Sequence, residues 1–144
     1  MRCVDVNVLV DAHRKDAPNH AHARAWLDAA RRGREPLGVP SASASGFLLV
    51  VTHARVFRNP TPIPIALATI DAVLSSPAAS LVEPGPRHWS IFRELCTSLE
   101  LRGNDVPDAY LAAIALEQGA TWVTSDRGFA RFADLRIERP EANE

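Results

Sequence analysis

The 144-residue chain carries sixteen Arg and Lys against seventeen Asp and Glu, a formal net charge of −1, with 47 % apolar and 23 % charged residues. One domain's length and an ordinary globular composition exclude wholesale disorder and any hold on a polyanion by bulk charge, leaving only local basic patches. The longest apolar runs, such as FLLVV at 47–51, fall far short of the roughly 18 residues of a membrane helix, and Asp5 interrupts the N-terminal apolar stretch with no cleavage-site pattern behind it. The expectation is a single domain over 1–144 with no membrane span and no signal peptide. Cys3 and Cys96 lie in apolar elements without metal-ligand spacing, as small core thiols of a reducing, cytoplasmic compartment do.

Short β-type runs alternate with longer helical ones. CVDV at 3–6 reads as a strand, and Asn7 then caps a turn of helix through Ala12. NHAHARAWLDAARR at 19–32 is a helix stopped by Gly33. LGVP at 37–40 is a strand, and SASASGFLLVVTH at 41–53 a buried helix capped by Ser41. Pro60, Pro62 and Pro64 stiffen a connection, with Pro64 placed to open the helix IALATIDAVLSS. ASLVEP at 79–84 is a strand. The helix after about Pro86 places Trp89, Phe92, Leu95, Cys96 and Leu99 at three- and four-residue spacing and ends at Gly103. A further helix covers 107–118, ATWVT at 120–124 is a strand, GFARFAD a short helix and LRIER at 135–139 an edge strand. Trp26, Trp89 and Trp122 fall on apolar faces and read as core.

Strands separated by helices imply right-handed crossovers and a three-layer α/β/α sandwich with a mainly parallel sheet. Chemistry in such folds lies beyond the carboxyl ends of the strands. Asp5 belongs to the most β-like stretch of the chain, where a charge costs several kcal/mol unless it is paired, hydrogen-bonded or metal-bound. Asp126 follows ATWVT directly, and Asp108 sits in the first turn of the 107–118 helix, three residues after an Asp105 placed to cap it. Structural uses exist for the last two, a favourable helix dipole and a turn cap. Three acids converging on one rim would repel unless a cation joined them, and an all-oxygen set selects Mg²⁺ or Mn²⁺. Such a site serves phosphoryl chemistry, because the ion polarises a phosphodiester and acidifies water.

The stretches DVNVLVDAH at 5–13, HARAWL at 22–27, EPGPRHW at 83–89 and RGNDVPDAYLAAIALEQGATWVTSDRGFARF at 102–132, in this order, resemble the PIN-domain ribonucleases, above all the VapC toxins of bacterial toxin–antitoxin pairs. The resemblance spans nearly the whole chain. It rests on Asp-x-Asn near the N-terminus, an Asp-Ala opening a helix that ends in Gly-Ala, and a strand followed by Thr-x-Asp-x-x-Phe. It implies a PIN-like fold, Asp5, Asp108 and Asp126 as ligands of Mg²⁺ or Mn²⁺, and Asn7 holding the first acid. Thr124 and Ser125 become supporting hydrogen-bonders. It also implies an RNA substrate, a cognate VapB-type antitoxin and a homodimer. One departure stands out. Many members carry a Glu in the helix after the second strand, where this chain has SASASGFLLVVTH; Ser41, Ser43 or Ser45 would offer only a neutral oxygen there, and Asp105 is the nearest substitute. The loss implies one tightly held ion, or a second recruited by substrate phosphate.

An RNA enzyme of this net charge needs a basic rim, and Arg127 and Arg131, four apart after Asp126, are placed to contact phosphate. Arg31, Arg32 and Arg34, and Arg55 and Arg58 around Phe57, form two other clusters. A haloacid-dehalogenase-type phosphatase requires Asp-x-Asp-x-Thr, and Asp5-Val6-Asn7-Val8-Leu9 lacks the second acid and the Thr. A receiver domain requires a lysine after a late strand, and Lys15 is the only lysine. The reading is therefore a Mg²⁺/Mn²⁺-dependent endoribonuclease toxin, with a catalytically weak PIN domain that mainly binds RNA or antitoxin as the alternative.

Overall fold

The structure, a computed structural model, describes residues 1–140, so residues 141–144 of the expected domain lie outside the described part. Its elements in order are β1 (Arg2–Val4), α1 (Val6–His13), α2 (His20–Arg32), β2 (Leu37–Pro40), α3 (Ser41–Val51), α4 (Ile63–Leu74), β3 (Ala79–Val82), α5 (His88–Ser98), α6 (Asp105–Gln118) and β4 (Thr121–Val123), then a 3-10 turn over Arg127–Arg131 and β5 (Ile137–Glu138). All four strand pairings are parallel, in the order β3-β2-β1-β4-β5. From β1 the chain builds outward to β2 and β3, then returns to β1's other side for β4 and β5. The gap beyond the carboxyl ends of β1 and β4 is the topological switch point of the sheet, where parallel α/β folds leave a crevice.

Side chains alternate between the two faces, as the pleat requires. Val4, Leu37, Val39 and Val123 enter one core under α1–α4, while Cys3, Val82 and Trp122 enter a second with α6, Phe129 and Phe132. Burial pushes the Cys3 thiol up to about 11, so it acts as a small core residue. Gly38 falls on the second face between Leu37 and Val39, and a Cβ there would stand 2.8 Å from Cys3 Sγ and 2.9 Å from Val82 Cγ2. Small residues Ala109, Ala112, Ala113 and Ala115 on α6 are likewise fully buried, which lets that helix lie close. Gly119 closes it in the left-handed conformation (φ 62°). Glu117, near that end, accepts from the backbone N–H groups of Gly85 and Arg87, both at 2.7 Å, and Arg87 donates back to the Glu117 carbonyl at 2.8 Å. Burial opposes the charged carboxylate, yet these donors and His88 hold its pKa below the ordinary value. The clasp fixes the β3–α5 connection to the end of α6.

Several elements differ from the sequence reading. β1 stops at Val4, and Asp5, in extended conformation, is the N-cap of α1, displacing Asn7 from that role. Ser41 does not cap α3; its hydroxyl donates to Glu83 at 2.6 Å. α6 starts at Asp105, so that residue is in the first turn and Asn104 stands at the cap. The stretch after Asp126 is a 3-10 turn beginning at Arg127, not an α-helix from Gly128. α5 packs on α6 instead of on the sheet, so of its residues only His88 is buried, and Trp89 is 63 % exposed where the periodicity implied core. Among the described residues no helix is long and apolar enough to cross a membrane.

Gly38→Ala forces a methyl against two packed side chains. It should lower stability by about 1–3 kcal/mol, read as a drop of several degrees in Tm, with the far-ultraviolet circular dichroism spectrum unchanged.

Candidate metal centre at the switch point

Asp5 leaves β1 where β4 ends beside it, and its N–H donates to the Val123 carbonyl at 3.0 Å, extending the ladder by one bond. The side chain turns back to cap α1, with Oδ1 accepting from the Val6 N–H at 2.7 Å. Oδ2 accepts from the Thr124 hydroxyl at 2.7 Å and from Asn7 Nδ2 at 3.0 Å. Asn7 Oδ1 in turn accepts from the Ser125 N–H at 3.0 Å, and Thr124 Oγ1 accepts from the Asp126 N–H at 3.0 Å. One carboxylate thus ties the start of α1 to the loop after β4. Asp5 is only 4 % exposed and no cation pairs with it among the described residues. Burial lifts its pKa to about 6 against the pull of the Thr124 and Val6 hydrogen bonds, and the negative fields of Asp108 and Asp126 add to the rise.

Asp126 is exposed and caps the 3-10 turn, its Oδ1 accepting from the Gly128 N–H at 2.8 Å. Asp108, half-buried, accepts from Arg131 Nη2 at 2.9 Å, and the same nitrogen lies 3.5 Å from Asp105 Oδ1. Arg131 therefore faces the acids. In a 3-10 turn of about three residues per turn, positions four apart diverge by roughly 120°, so Arg127 and Arg131 do not share one face as an α-helix would have them do. Arg127 is exposed, whereas Arg31 is committed to Ser76 Oγ and the Ala72 carbonyl at the end of α4. Of the three serines of α3, Ser41 is engaged by Glu83, Ser45 is exposed, and Ser43 is fully buried with an unpartnered hydroxyl. The Ser125 hydroxyl also lacks a partner, so its part in the network is through the backbone. Two contributors went unread in the sequence. Glu83 follows β3 directly, and the strand-end rule applied to Asp5 and Asp126 reaches it too. Arg139, which donates to the Ser125 carbonyl at 3.3 Å, has no local signal.

The donor set consists of carboxylate oxygens, and the field that Asp108 and Asp126 exert on Asp5 is the repulsion a cation would relieve. Each carboxylate retains lone pairs beyond its hydrogen bonds. That chemistry fits a hard divalent ion. Among the described residues no three His, Cys, Asp or Glu side chains stand closed around one point, Asp108 being engaged by Arg131. Beside the acids opens an apolar groove of about 450 Å³, lined by Val6, Ala42, Phe92, Val106, Pro107 and Tyr110 among others. Val6 and Pro107 are the chain neighbours of Asp5 and Asp108.

Because folding raises the pKa of Asp5, the protonated carboxyl favours the folded state. Its contribution is complete below about pH 4 and is lost as pH rises through about 6. With divalent ions chelated, urea titrations from pH 4 to 7 should show stability falling by about 2–3 kcal/mol from this group, and Asp5→Asn should flatten the slope.

A PIN-domain family model matches residues 2–135. A VapC ribonuclease of Mycobacterium bovis is 51 % identical over 140 residues, covering 97 % of this chain and 95 % of its own length. Ribonuclease VapC25 of Mycobacterium tuberculosis is 42 % identical over 97 % of this chain and 99 % of its own. Among solved structures, VapBC2 of Rickettsia felis, bound to a fragment of its promoter DNA, superposes with a TM-score of 0.72 at 20 % identity over 96 % of this chain and 97 % of that one. VapC20 of Mycobacterium tuberculosis, a toxin that cleaves the sarcin–ricin loop, gives 0.70 at 13 % identity over 92 % and 95 %. At such identities the superpositions speak for the fold alone. The sequence relatives and the family match together place the chain in the PIN-domain family.

Proposed function

We propose that this chain is the ribonuclease toxin of a type II toxin–antitoxin pair, an endoribonuclease that uses Mg²⁺ or Mn²⁺ held by Asp5, Asp108 and Asp126. The observation that carries the reading is Asp5: a buried, cation-free carboxylate at the switch point, raised to about pKa 6 by burial and by two neighbouring acids. Burying a charge in this way is costly for the fold alone and useful for holding a cation.

Once bound, the ion supplies Lewis acidity to the phosphodiester and makes the attacking water more acidic. The chain's own residues do the placing. Thr124 and Asn7 fix the rotamer of Asp5, and Asn7 and Thr124 also hold the loop that carries Asp126. Such outer hydrogen bonds to a ligating carboxylate set its direction. α3 carries no acid, its Ser43 holding a buried hydroxyl without a partner, and Asp105 is exposed and turned to Arg131. Arg131, paired with Asp108, and exposed Arg127 are the cations offered to the RNA backbone.

The partner is a VapB-type antitoxin. The apolar groove lined by Val6 and Pro107, neighbours of Asp5 and Asp108, suits an amphipathic segment that closes with a basic residue against the acids. A homodimer is supported by the exposed Ile63, Ile65 and Leu67 of α4, with Leu49 and Val56 nearby in sequence. Free thiols at Cys3 and Cys96 suit a cytoplasmic protein.

The test is cleavage of total RNA with and without Mn²⁺, with the ends mapped. Wild type should cut at few sites and leave 5′-phosphates and 3′-hydroxyls, Asp5→Asn should not cut, and Thr124→Val should lose about 10–100-fold. RNA bound but uncut at every Mn²⁺ concentration would overturn the enzyme and leave a binding module. Calorimetric titration with the antitoxin's C-terminal segment checks the groove, where Tyr110→Ala should weaken binding about tenfold or more.

A further inference from the structure

The loop after β4 is fastened twice on one residue. Gly128 donates its N–H to Asp126 Oδ1 at 2.8 Å and accepts at its carbonyl from Arg131 Nη1 at 2.6 Å. A Cβ on residue 128 would stand 2.8 Å from that Nη1 and 3.1 Å from Asp126 Oδ1, so the absence of a side chain is what lets the guanidinium fold back over the turn. Its second amino group then reaches Asp108 Oδ2 at 2.9 Å, and the Phe132 ring lies 4.8 Å beneath. Among the described residues, Asp5 and Asp126 have no cationic partner, so the one positive charge paired within this acid set sits on Asp108. The fit is incomplete. Arg131 Nε is buried with no acceptor.

We propose that Arg131 is the counter-ion a divalent cation must displace from Asp108. In the ion-free chain it neutralises that carboxylate, and ion binding exchanges guanidinium for metal, so that Arg131 sets the metal affinity of the site. The exchange rests on Asp5, Asp108 and Asp126 being the metal ligands. A dication and a guanidinium on one carboxylate repel each other, and a small octahedral ion needs the oxygen at about 2.0–2.2 Å with its own geometry. The unsatisfied Nε and the half-exposed position mean that release of Arg131 leaves no additional buried donor stranded. Arg131 is thus a positioning residue acting through Asp108. Its role differs in sign from an outer hydrogen-bonder, whose loss would weaken the metal.

The experiment is calorimetric titration of Mn²⁺ into the full, metal-stripped chain. It compares wild type with Arg131→Met, Arg131→Lys, Asp108→Asn and Arg24→Gln, the last removing an exposed cation on α2 as a control for net charge. Arg131→Met should bind Mn²⁺ about tenfold tighter or more, Arg131→Lys should fall between it and wild type, and Arg24→Gln should match wild type. In wild type, Mg²⁺ should shift the Arg131 Nε–Hε resonance, identified by its disappearance in Arg131→Lys, which remains informative if the Met variant misfolds. Unchanged or weaker Mn²⁺ binding in both Arg131 variants, with Asp108→Asn defective, overturns the exchange and leaves the metal centre standing. Full-strength binding in Asp108→Asn, or none in wild type, overturns the metal centre itself and the exchange with it.

Discussion

The hydrogen bond from the Thr124 hydroxyl to Asp5 joins two parts of the chain more than a hundred residues apart, and the rest of the site is arranged around it. β1 and β4 are neighbours only because the chain builds one half of the sheet outward from β1 and then returns to its other side. At their carboxyl ends the backbone has to leave the sheet, and both exits are made with short polar side chains. Asp5 caps α1, Asp126 caps the 3-10 turn, and Asn7 and Thr124 bridge between them. Each group has a local use as a cap or a bridge, and the same bonds aim the carboxylates toward one rim. Structural and chemical roles coincide here, so neither can be removed alone.

That arrangement gathers negative charge around one buried carboxylate, with half-buried Asp108 and exposed Asp126 adding to its field. The fold tolerates it in two ways: Asp5 binds its proton more tightly than an ordinary carboxyl, and Arg131 reaches back to Asp108. Neither device meets the whole charge, since Asp126 has only a backbone donor. A site left short of positive charge in its resting state has affinity to offer an incoming cation.

The periphery is built for company. Edge strand β3 leaves Leu81 half exposed, α5 turns Trp89 outward, and the start of α4 presents three apolar side chains. Scattered surface apolar residues are ordinary, but a groove that is apolar nearly throughout and lined by the chain neighbours of Asp5 and Asp108 is not.

The alternation of β-branched runs with helical ones, the glycines that end α2 and α6, and the acids after β1 and β4 are local signals, and they sufficed to read a parallel three-layer sandwich and to name Asp5, Asp108 and Asp126 as candidates. The family resemblance supplied Asn7 and Thr124, and both hydrogen-bond to Asp5. Reading failed where an outcome depended on what lies opposite. Periodicity on α5 could not tell helix from sheet as its packing partner, so Trp89 looked like core. The serines of α3 were equivalent until packing buried Ser43 and Glu83 took Ser41. Arg127 and Arg131 looked like neighbours on one helical face; the 3-10 turn sets them apart, and the missing Cβ of Gly128 lets the Arg131 guanidinium reach back to Asp108. Which elements form is decided by neighbours in the chain, whereas the partner of a charged side chain is decided by neighbours in space, and only the tertiary structure supplies those.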